Sequence, residues 1–389
     1  MIRVGVLTFH RSVNEGSVAQ AVCTVACLQR ALDQLGLAHE VCIVDYRPWR
    51  RERREYWKIL RPLLRGRSAQ AQKAWHLRRW LKRQAALGGW PCWAEDPARV
   101  STWLQRGNWD LLVTGSDTVW AVSPENGLPD PPNPYFLPFD LPVRRLSLAA
   151  SADRHDSRLY QGDAGERIAA ALAAFDWISV RDAGTSALLE RLQIEHELIA
   201  DPTILHGVQN LVSSAHAAPS VSPDGRPVLG LALADEGQRD AVARRFQARG
   251  WQVMNMLGRS GVPGVDNRYP GRPMDDKLAL LRSGLDGVVT DRFHVTIFVL
   301  SLGRCPLAVL RRPGNTEGVT GKAEDLLQRL DCTQFLVDFN RGDWLEAIET
   351  VLAREPDASV AEALERLASA GQSQLRTALA RVLAEVPAA

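Results

Sequence analysis

Residues 2–46, IRVGVLTFHRSVNEGSVAQAVCTVACLQRALDQLGLAHEVCIVDY, contain the pattern that decides the fold. A run rich in Val, Ile and Leu at 2–10 predicts a buried strand, and residues 18–36 predict a helix that ends at Gly36. The segment 39–46 predicts a second strand. A strand, a crossover helix and a second strand form a right-handed unit whose two strands are parallel. This stretch therefore predicts an α/β fold.

The same alternation of strand and helix continues in two blocks. Residues 207–227, GVQNLVSSAHAAPSVSPDGRP, interrupt it with Ser, Ala, Pro and Gly and predict a linker. A second alternation begins at residue 228 and ends in amphipathic helices. We therefore expect an α/β protein with two Rossmann-like domains, residues 1–206 and 228–389, that face a cleft in the architecture known as GT-B. The sequence contains no GxGxxG motif, so it does not support NAD binding.

The composition is that of a globular protein. The 389 residues are 46% hydrophobic and 24% charged, and no run reaches the roughly 18–20 apolar residues that a membrane span needs. The first residues, MIRVGVLTFH, predict a strand rather than a signal peptide, so we expect a cytoplasmic protein. The six cysteines fit neither a CxxC pair nor a zinc spacing, and Cys23 and Cys27 are expected to pack in the core.

Residues 47–83 concentrate positive charge. They contain 14 Lys and Arg against Glu52 and Glu55, a local charge of +12 in a chain of net charge +2. Tryptophans interleave with these charges at Trp49, Trp57, Trp75 and Trp80. We expect a basic helical insert in the N-terminal domain. Either it contacts an anionic membrane, at the inner face of the cytoplasmic membrane, or it is solvated and its tryptophans cover the domain. Because no reading motif accompanies the charge, we expect no nucleic acid partner.

Residues 287–303, GVVTDRFHVTIFVLSLG, place two basic side chains where an apolar strand becomes an apolar helix. We expect the strand to end before Asp291 and the helix to run from about His294 to Gly303. Backbone N–H groups at a helix start favour an anion. Arg292 can pair with a carboxylate or phosphate, and His294 can exchange a proton near neutral pH. In the alternative interpretation, Arg292 pairs with Asp291 and His294 only caps the helix.

Polar residues follow other predicted strands too, where open α/β sheets bind ligands. These positions are Asn14 to Ser17, Ser116-Asp117-Thr118, Ser151, Arg181-Asp182 and Asp201. In DLLVTGSDTVW, Gly115 allows a tight turn, and the residues after it offer two hydroxyls and a carboxylate to a sugar or phosphate. A plain loop with an N-cap aspartate is the alternative. For Arg181, the alternative is a surface ion pair with Asp182.

Several segments in this order resemble the polysaccharide pyruvyl transferase family. They are FHRSVNEGS with its Asn-x-Gly loop, VTGSDTVW, RRLSLAASA, WISVRD, ADPTIL and VVTDRFHVTIFVLSLGRCPLAVL, followed by GKAEDLLQRL. The resemblance runs from the N-terminal loop to about residue 338. Its most specific parts are the Arg-x-His block and the GSDxVW motif.

The resemblance implies a GT-B-like fold and transfer of a pyruvyl group from phosphoenolpyruvate to a sugar. Two sugar hydroxyls would be bridged as a cyclic ketal, with release of phosphate. Arg181 and Arg292 would hold the carboxylate and phosphate of the donor, and His294 would protonate its methylene carbon. Asp117 is expected to act as a base or to position a hydroxyl.

The resemblance also sets the expected substrate contacts and partners. Besides Arg181, the residues expected to bind substrate are Asn14, Gly16, Ser116, Thr118, Ser151, Thr296 and Lys322. The expected partner is a carbohydrate or lipid-linked sugar acceptor. No metal and no organic cofactor is expected, because phosphoenolpyruvate enters as a substrate.

Three departures from the family pattern lie beside these positions. Val295 stands where the family block has glycine, and Thr118 replaces an amide. After LAAS the chain has Ala152-Asp153 where Phe-Gly is common. Two other functions therefore stay open at this point: a GT-B glycosyltransferase that uses a nucleotide-activated sugar, and a non-catalytic scaffold in polysaccharide assembly.

Overall fold

The structure, a computed structural model, describes residues 1–66, 68–122, 127–152, 160–303, 306–311, 321–354 and 358–384. Contacts divide the chain into two units, each built around one parallel sheet. The first unit contains Met1–Arg61, Arg78–His206 and Leu367–Ala389, and the second contains Pro62–Leu77 and Gly207–Arg366.

Seven parallel strands form the sheet of the first unit. They are β1 (Ile2–Leu7), β2 (His39–Tyr46), β3 (Leu87–Cys92), β4 (Leu111–Gly115), β5 (Arg144–Ala150), β6 (Trp177–Val180) and β7 (Glu197–Leu198). Their order is β3-β2-β1-β4-β5-β6-β7. Every residue of the central strand β4 is buried, as in sheets covered on both faces. The edge strand β3 is not predicted from the sequence, because Gly88, Gly89 and Pro91 weaken its strand signal.

Helices connect the strands of residues 1–206. They are α1 (Glu15–Gln34), α2 (Trp49–Leu64), α3 (Ala69–Gln84), α4 (Pro97–Gln105), α5 (Gly162–Ala173), α6 (Ala183–Arg191) and α7 (Pro202–His206). The helix α1 begins three residues before its predicted start, because the Asn14 side chain accepts a hydrogen bond from the Gly16 N–H at 3.0 Å and caps the helix. The expected basic insert is helical, as α2 and α3.

Five parallel strands form the sheet of the second unit. They are β8 (Val228–Ala232), β9 (Gln252–Asn255), β10 (Gly287–Thr290), β11 (Leu307–Leu310) and β12 (Leu336–Val337), in the order β12-β11-β10-β8-β9. The helices after residue 228 are α8 (Glu236–Ala248), α9 (Met274–Ser283), α10 (Phe293–Leu302), α11 (Lys322–Arg329), α12 (Trp344–Leu352) and α13 (Ala358–Ala384). The helix α10 ends at Gly303, whose φ of +66° gives the left-handed cap that the sequence predicts.

The boundaries of the two units differ from the predicted domains at two places. Leu367–Ala389 belongs to the first unit, whereas the sequence analysis placed residues 228–389 in one domain. In this part of α13, Gly371 lies against the side chains of Leu205 and Ile199. Pro62–Leu77, from the basic insert, belongs to the second unit. Helical periodicity indicates that a helix has an apolar face but does not identify the element that covers it.

The cysteines within the described residues are all free and buried: Cys23, Cys27, Cys42, Cys92 and Cys332. Burial raises the pKa of the Cys27 thiol to about 12, an effect that Arg30 only partly opposes. The expected core packing of Cys23 and Cys27 is confirmed. Cys305 lies outside the described residues. Across the described ranges, none of the helices has the length and apolar character needed to cross a membrane.

His206, the last residue of α7, is expected to make the first unit sensitive to acid. Burial, and to a smaller extent the charge of Arg30, lower the pKa of its imidazole to about 4. The unfolded chain therefore binds this proton at a higher pH, near 6.5, and the free energy of unfolding falls as the pH drops from about 6.5 to 4. We expect this decrease in the free energy of unfolding to be smaller in His206→Gln than in the wild type. Because the side chain is partly exposed, the difference is expected to be on the order of 1 kcal/mol. Melting temperatures across this pH range test the prediction, and parallel curves for variant and wild type would contradict it.

Candidate functional site

A first group of predicted site residues lies at the carboxyl ends of β4, β5 and β6. Ser116 and Asp117 follow β4, Ser151 follows β5, and Arg181 follows β6. Because the strands are parallel neighbours, their carboxyl ends lie at the same edge of the sheet. The Ser151 N–H donates to the Asp117 carbonyl oxygen at 3.1 Å. The tertiary structure thus brings together residues that are far apart in the sequence.

Gly115 makes the turn that starts this group. Its φ is +124°, and a Cβ at this position would overlap the carbonyl oxygen of Leu148 on β5. The prediction that a glycine permits a tight turn here is confirmed. The turn directs Ser116 into the interior, where its Oγ lies 3.0 Å from Oγ1 of Thr24 on α1.

Arg181 is the centre of the group and is almost completely buried. Its Nη1 donates to Asp201 Oδ2 at 2.7 Å and to Gln20 Oε1, and its Nη2 lies 3.7 Å from Asp117 Oδ1. Burial alone would lower the pKa of the guanidinium. The charges of Asp201, Asp117 and Asp182 outweigh burial and raise the pKa above its usual value. Arg181 therefore stays charged in the interior.

The carboxylates around Arg181 are themselves held in place. Oδ1 of Asp201 accepts hydrogen bonds from the Thr203 N–H at 2.9 Å and from its hydroxyl at 2.6 Å. Oδ1 of Asp182 caps α6, accepting from the Thr185 N–H and hydroxyl, both at 2.8 Å. Asp201 and Asp117 contact the guanidinium, and Asp182 adds a further charge nearby, so the cluster is an ordered site.

This geometry rules out the surface-pair interpretation of Arg181. It is not a surface pair, because the side chain is buried and contacts Asp201, which was considered only as a separate strand-end residue. As a holder of the donor anion, Arg181 would have to share its guanidinium with the carboxylates already around it. The donor role of Arg181 stays a prediction.

The remaining predicted residues of this unit lie beside the cluster or at the start of α1. The Thr118 N–H donates to Asp117 Oδ1 at 2.8 Å, and the Thr118 side chain is half-buried. Asn14 is exposed at the cap of α1, and Gly16 is buried in its first turn. Thr118 and Asn14 can therefore be reached from solvent, whereas Ser116 and Ser151 are fully buried.

A second group lies at the carboxyl end of β10. Arg292 has extended backbone dihedral angles at the N-cap position of α10, and its N–H donates to Thr290 Oγ1 at 2.9 Å. Arg292 Nε lies 3.1 Å from Asp291 Oδ1, so the ion pair of the alternative interpretation is present. The Arg292 side chain is nevertheless 38% exposed. His294, in the first turn, is half-buried, with its ring centroid 5.1 Å from that of Phe293.

Thr296 and Lys322 belong to the same unit but have different surroundings. Thr296 is fully buried, and its hydroxyl donates to the Arg292 carbonyl oxygen at 3.1 Å, which stabilises the first turn of α10. Lys322 is half-buried at the first position of α11, the helix that follows β11. Because β10 and β11 are parallel neighbours and α10 packs on α11, Lys322 lies at the same edge of the sheet as His294.

A polar cluster at the carboxyl ends of β1 and β2 was missed by the sequence analysis. His10 Nε2 donates to Asp45 Oδ1 at 2.9 Å, and Arg47 Nε donates to the same oxygen at 2.6 Å. Burial by itself would raise the pKa of the Asp45 carboxyl. The hydrogen bonds from His10 and Arg47 outweigh burial and lower the pKa to about 2. An aspartate inside the apolar run HEVCIVDY was the signal for this cluster.

Gln20 and Thr24 on α1 were also missed, although both are buried polar residues within an apolar helix. A buried amide or hydroxyl needs a hydrogen-bond partner, and that requirement is the signal for their contacts with Arg181 and Ser116.

The residues that depart from the family pattern have different surroundings. Ala152 is buried, and its N–H donates to Thr185 Oγ1 at 2.9 Å. Asp153 lies outside the described residues. Val295 is half-buried beside His294.

The side chains that the structure describes do not form a metal site. Among these residues, no group of three or more His, Cys, Asp or Glu side chains is arranged to hold a metal ion. The two polar groups instead offer hydroxyls, carboxylates, guanidinium groups and an imidazole. Such groups can bind phosphate or carboxylate, hydrogen-bond to sugar hydroxyls and transfer protons.

Comparison with known proteins adds a family and a fold. The family model described as polysaccharide pyruvyl transferase matches residues 21–311, most of the chain. The UDP-N-acetylglucosamine 2-epimerase of Rickettsia bellii is similar in structure, with a TM-score of 0.54, 9% identity and 99% of each chain covered. The UDP-GlcNAc 2-epimerase of Methanocaldococcus jannaschii gives a TM-score of 0.52 at 11% identity, covering 95% of this chain and 99% of that one. None of the curated protein sequences matches significantly. The expected GT-B-like α/β fold is confirmed.

Proposed function

Because the chain belongs to the polysaccharide pyruvyl transferase family, we propose that it transfers a pyruvyl group from phosphoenolpyruvate to the hydroxyls of a sugar. The product is a cyclic ketal, and phosphate is released. The observation that carries the proposal is the pair Arg292 and His294 at the start of α10, beyond the carboxyl end of β10. This place in a parallel sheet is a common ligand site.

Arg292 is proposed to hold the donor. Its guanidinium is partly exposed while Nε contacts Asp291, which fixes the side chain without enclosing it. A planar guanidinium suits the carboxylate or phosphate of phosphoenolpyruvate, and the N–H groups of the first turn of α10 favour the same charge. Lys322, at the same edge of the sheet, is proposed as a second cationic contact. The family departure at Val295 adds a β-branched side chain next to this position.

His294 is proposed as the general acid. Proton transfer from its imidazolium to the methylene carbon turns that carbon into a methyl group and leaves C2 with oxocarbenium character. A sugar hydroxyl then forms a bond to C2 and loses its proton to a base. The C2–O bond to phosphate breaks, and the second hydroxyl closes the ketal. Of the two hydroxyl protons, one restores His294 and the other leaves with phosphate.

Asp117 is proposed as the base or as the group that orients the acceptor hydroxyl. Its Oδ1 is held by the Thr118 N–H at 2.8 Å and lies 3.7 Å from the Arg181 guanidinium. A carboxylate held in this way can accept the proton of an acceptor hydroxyl. The acceptor is proposed to be a carbohydrate or a lipid-linked sugar.

Phosphate release tests the reaction. The protein is incubated with phosphoenolpyruvate and a panel of nitrophenyl hexosides and lipid-linked sugars. Phosphate is measured together with the mass of the sugar product, and UDP-sugars replace phosphoenolpyruvate in a parallel arm. The proposal predicts phosphate and a pyruvyl ketal in the first arm only. Transfer of a hexose in the second arm would instead identify a glycosyltransferase.

Arg292→Ala is expected to weaken phosphoenolpyruvate binding by about 10- to 100-fold, the effect of losing a charge-assisted pair. Thermal stabilisation by phosphoenolpyruvate measures the affinity. The matched control is Arg244→Ala, which removes an exposed arginine of α8 in the same unit and is expected to leave the affinity unchanged. Equal affinity in Arg292→Ala and the wild type would show that the donor binds elsewhere.

A further inference from the structure

The helix α2 presents aromatic side chains to solvent. Trp49 is 57% exposed, Tyr56 60% and Trp57 46%. Large aromatic side chains are normally buried, and an exposed apolar patch marks an interaction surface. The structure thereby separates the tryptophans of the basic insert. Trp80 is almost completely buried, whereas Trp49, Trp57 and Trp75 are exposed.

These aromatic residues form one stripe on the helix. At 100° per residue, Trp49, Tyr56 and Trp57 fall within about 100° of the circumference, and Arg53 lies between them. Arg54, Lys58 and Arg61 flank the stripe on one side. All four cationic side chains are exposed. We call these seven residues the α2 face.

The acidic residues of α2 lie outside the aromatic stripe. Glu55 is buried and accepts a hydrogen bond from the Val13 N–H at 2.9 Å, and Glu52 pairs with Arg11 at 3.1 Å. Their contacts hold the helix against the loop after β1. Glu52 and Glu55 are the only acidic residues of the insert, and Glu55 also pairs with Lys58 at the edge of the α2 face. With Arg53, Arg54 and Arg61 beside this pair, the α2 face keeps a net positive charge.

Two further exposed tryptophans belong to the same region. Trp90 and Trp93, at and after β3, are 86% and 45% exposed. Arg50 at the start of α2 pairs with Glu95 at 3.0 Å, and the Arg47 guanidinium lies 5.7 Å from the Trp93 ring centroid. These contacts tie the exposed end of β3 to the start of α2 and extend the aromatic surface.

We propose that the α2 face binds the surface of a membrane that contains anionic lipids. A helix with an aromatic stripe flanked by Arg and Lys lies in the plane of the interface, with its rings at the level of the headgroups and its charges near the lipid phosphates. The net positive charge of the α2 face is complementary to such a surface. Compact grouping of three rings on one rigid helix favours a lipid interface over nucleic acid, whose bases stack on aromatic residues along a groove. The proposal does not depend on the reaction that the protein catalyses.

Vesicle co-sedimentation of the full chain tests this proposal. One arm uses phosphatidylcholine vesicles that contain phosphatidylglycerol, a second uses pure phosphatidylcholine, and a third replaces vesicles by a short single-stranded oligonucleotide. We expect binding in the first arm that weakens as salt is added, and much weaker binding in the second. No binding in the first arm, or tighter binding to the oligonucleotide at the same salt concentration, would overturn the proposal.

The combined variant Arg53→Gln, Arg54→Gln and Arg61→Gln identifies the surface. Each basic residue near an anionic membrane strengthens binding about fivefold, so we expect a loss of roughly 100-fold. The matched control is Arg99→Gln, Arg106→Gln and Arg167→Gln, which removes the same charge from exposed positions of the same unit. An equal loss in the control would mean that net charge, rather than the α2 face, causes binding.

A second variant separates the aromatic contribution from the charge. Trp49→Ser with Trp57→Ser keeps every charge and is expected to abolish the part of the binding that persists at high salt. Both side chains are exposed, so the melting temperature is expected to stay within a few degrees of the wild type. Unchanged high-salt binding in this variant, with the fold intact, would contradict membrane insertion of the stripe.

Discussion

His294→Gln is expected to lower the rate of phosphate release from phosphoenolpyruvate by about 100- to 10,000-fold, the usual contribution of a positioned general acid. Glutamine has similar size and polarity but cannot donate the proton that the methylene carbon needs. Because Arg292 and the N–H groups of α10 stay in place, we expect thermal stabilisation by phosphoenolpyruvate to persist. Initial rates at saturating donor, compared with the thermal shift, separate turnover from binding.

His216→Gln provides the control for this prediction. It removes a partly exposed imidazole of the same unit, which pairs with Asp276 at 2.8 Å, and is expected to leave the rate unchanged. If His294→Gln kept the wild-type rate, another group would supply the proton. If it lost donor binding as well as turnover, His294 would be a holder of the donor rather than its acid.

Arg181→Gln is expected to destabilise the first unit by about 3–5 kcal/mol, the cost of breaking a buried ion pair by removing one partner. The buried carboxylates of Asp201 and Asp117 would lose their counter-charge while staying at their positions. The free energy of unfolding in urea measures the effect. Arg167→Gln, at an exposed position of α5, is the control and is expected to change stability by less than about 0.5 kcal/mol.

Two further variants decide what Arg181 does. Adding Asp201→Asn to Arg181→Gln removes one of the uncompensated carboxylates and is expected to recover part of the lost stability. Arg181→Lys keeps the charge, and its affinity for phosphoenolpyruvate tests the donor role. A structural role predicts wild-type affinity in a folded Arg181→Lys variant, whereas a direct donor contact predicts weaker binding. If Arg181→Gln lowered the free energy of unfolding by less than about 1 kcal/mol, Arg181 would not be the counter-charge of a buried carboxylate cluster.

Much of the fold follows from local patterns in the sequence. The apolar runs that became β1, β4 and β10 are recognisable because strands of a parallel sheet are buried on both faces. Helix ends were predicted where a specific residue marks them, as at Gly303. The edge strand β3 was missed because two glycines and a proline carry no strand signal, and pairing with β2 supplies the hydrogen bonds that hold it.

For the candidate site, strand-end position was the useful signal. It identified Arg292, His294, Asp117 and Arg181, because a residue that follows a parallel strand must lie at the ligand-binding edge. It did not identify the partners of these residues. Gln20 contacts Arg181 across 161 positions of sequence, and nothing local to either residue predicts that contact.

The sequence alone predicts most of the strands and helices, the positions where chemically active residues follow strands, and the strong positive charge of one insert. These properties depend on the order of neighbouring residues. Tertiary packing is needed to show that Arg181 is enclosed by carboxylates, and that Trp80 is buried while Trp49 and Trp57 are exposed. Burial and charge compensation depend on which distant elements pack together, and a pattern within one helix or strand carries no information about the element that covers it.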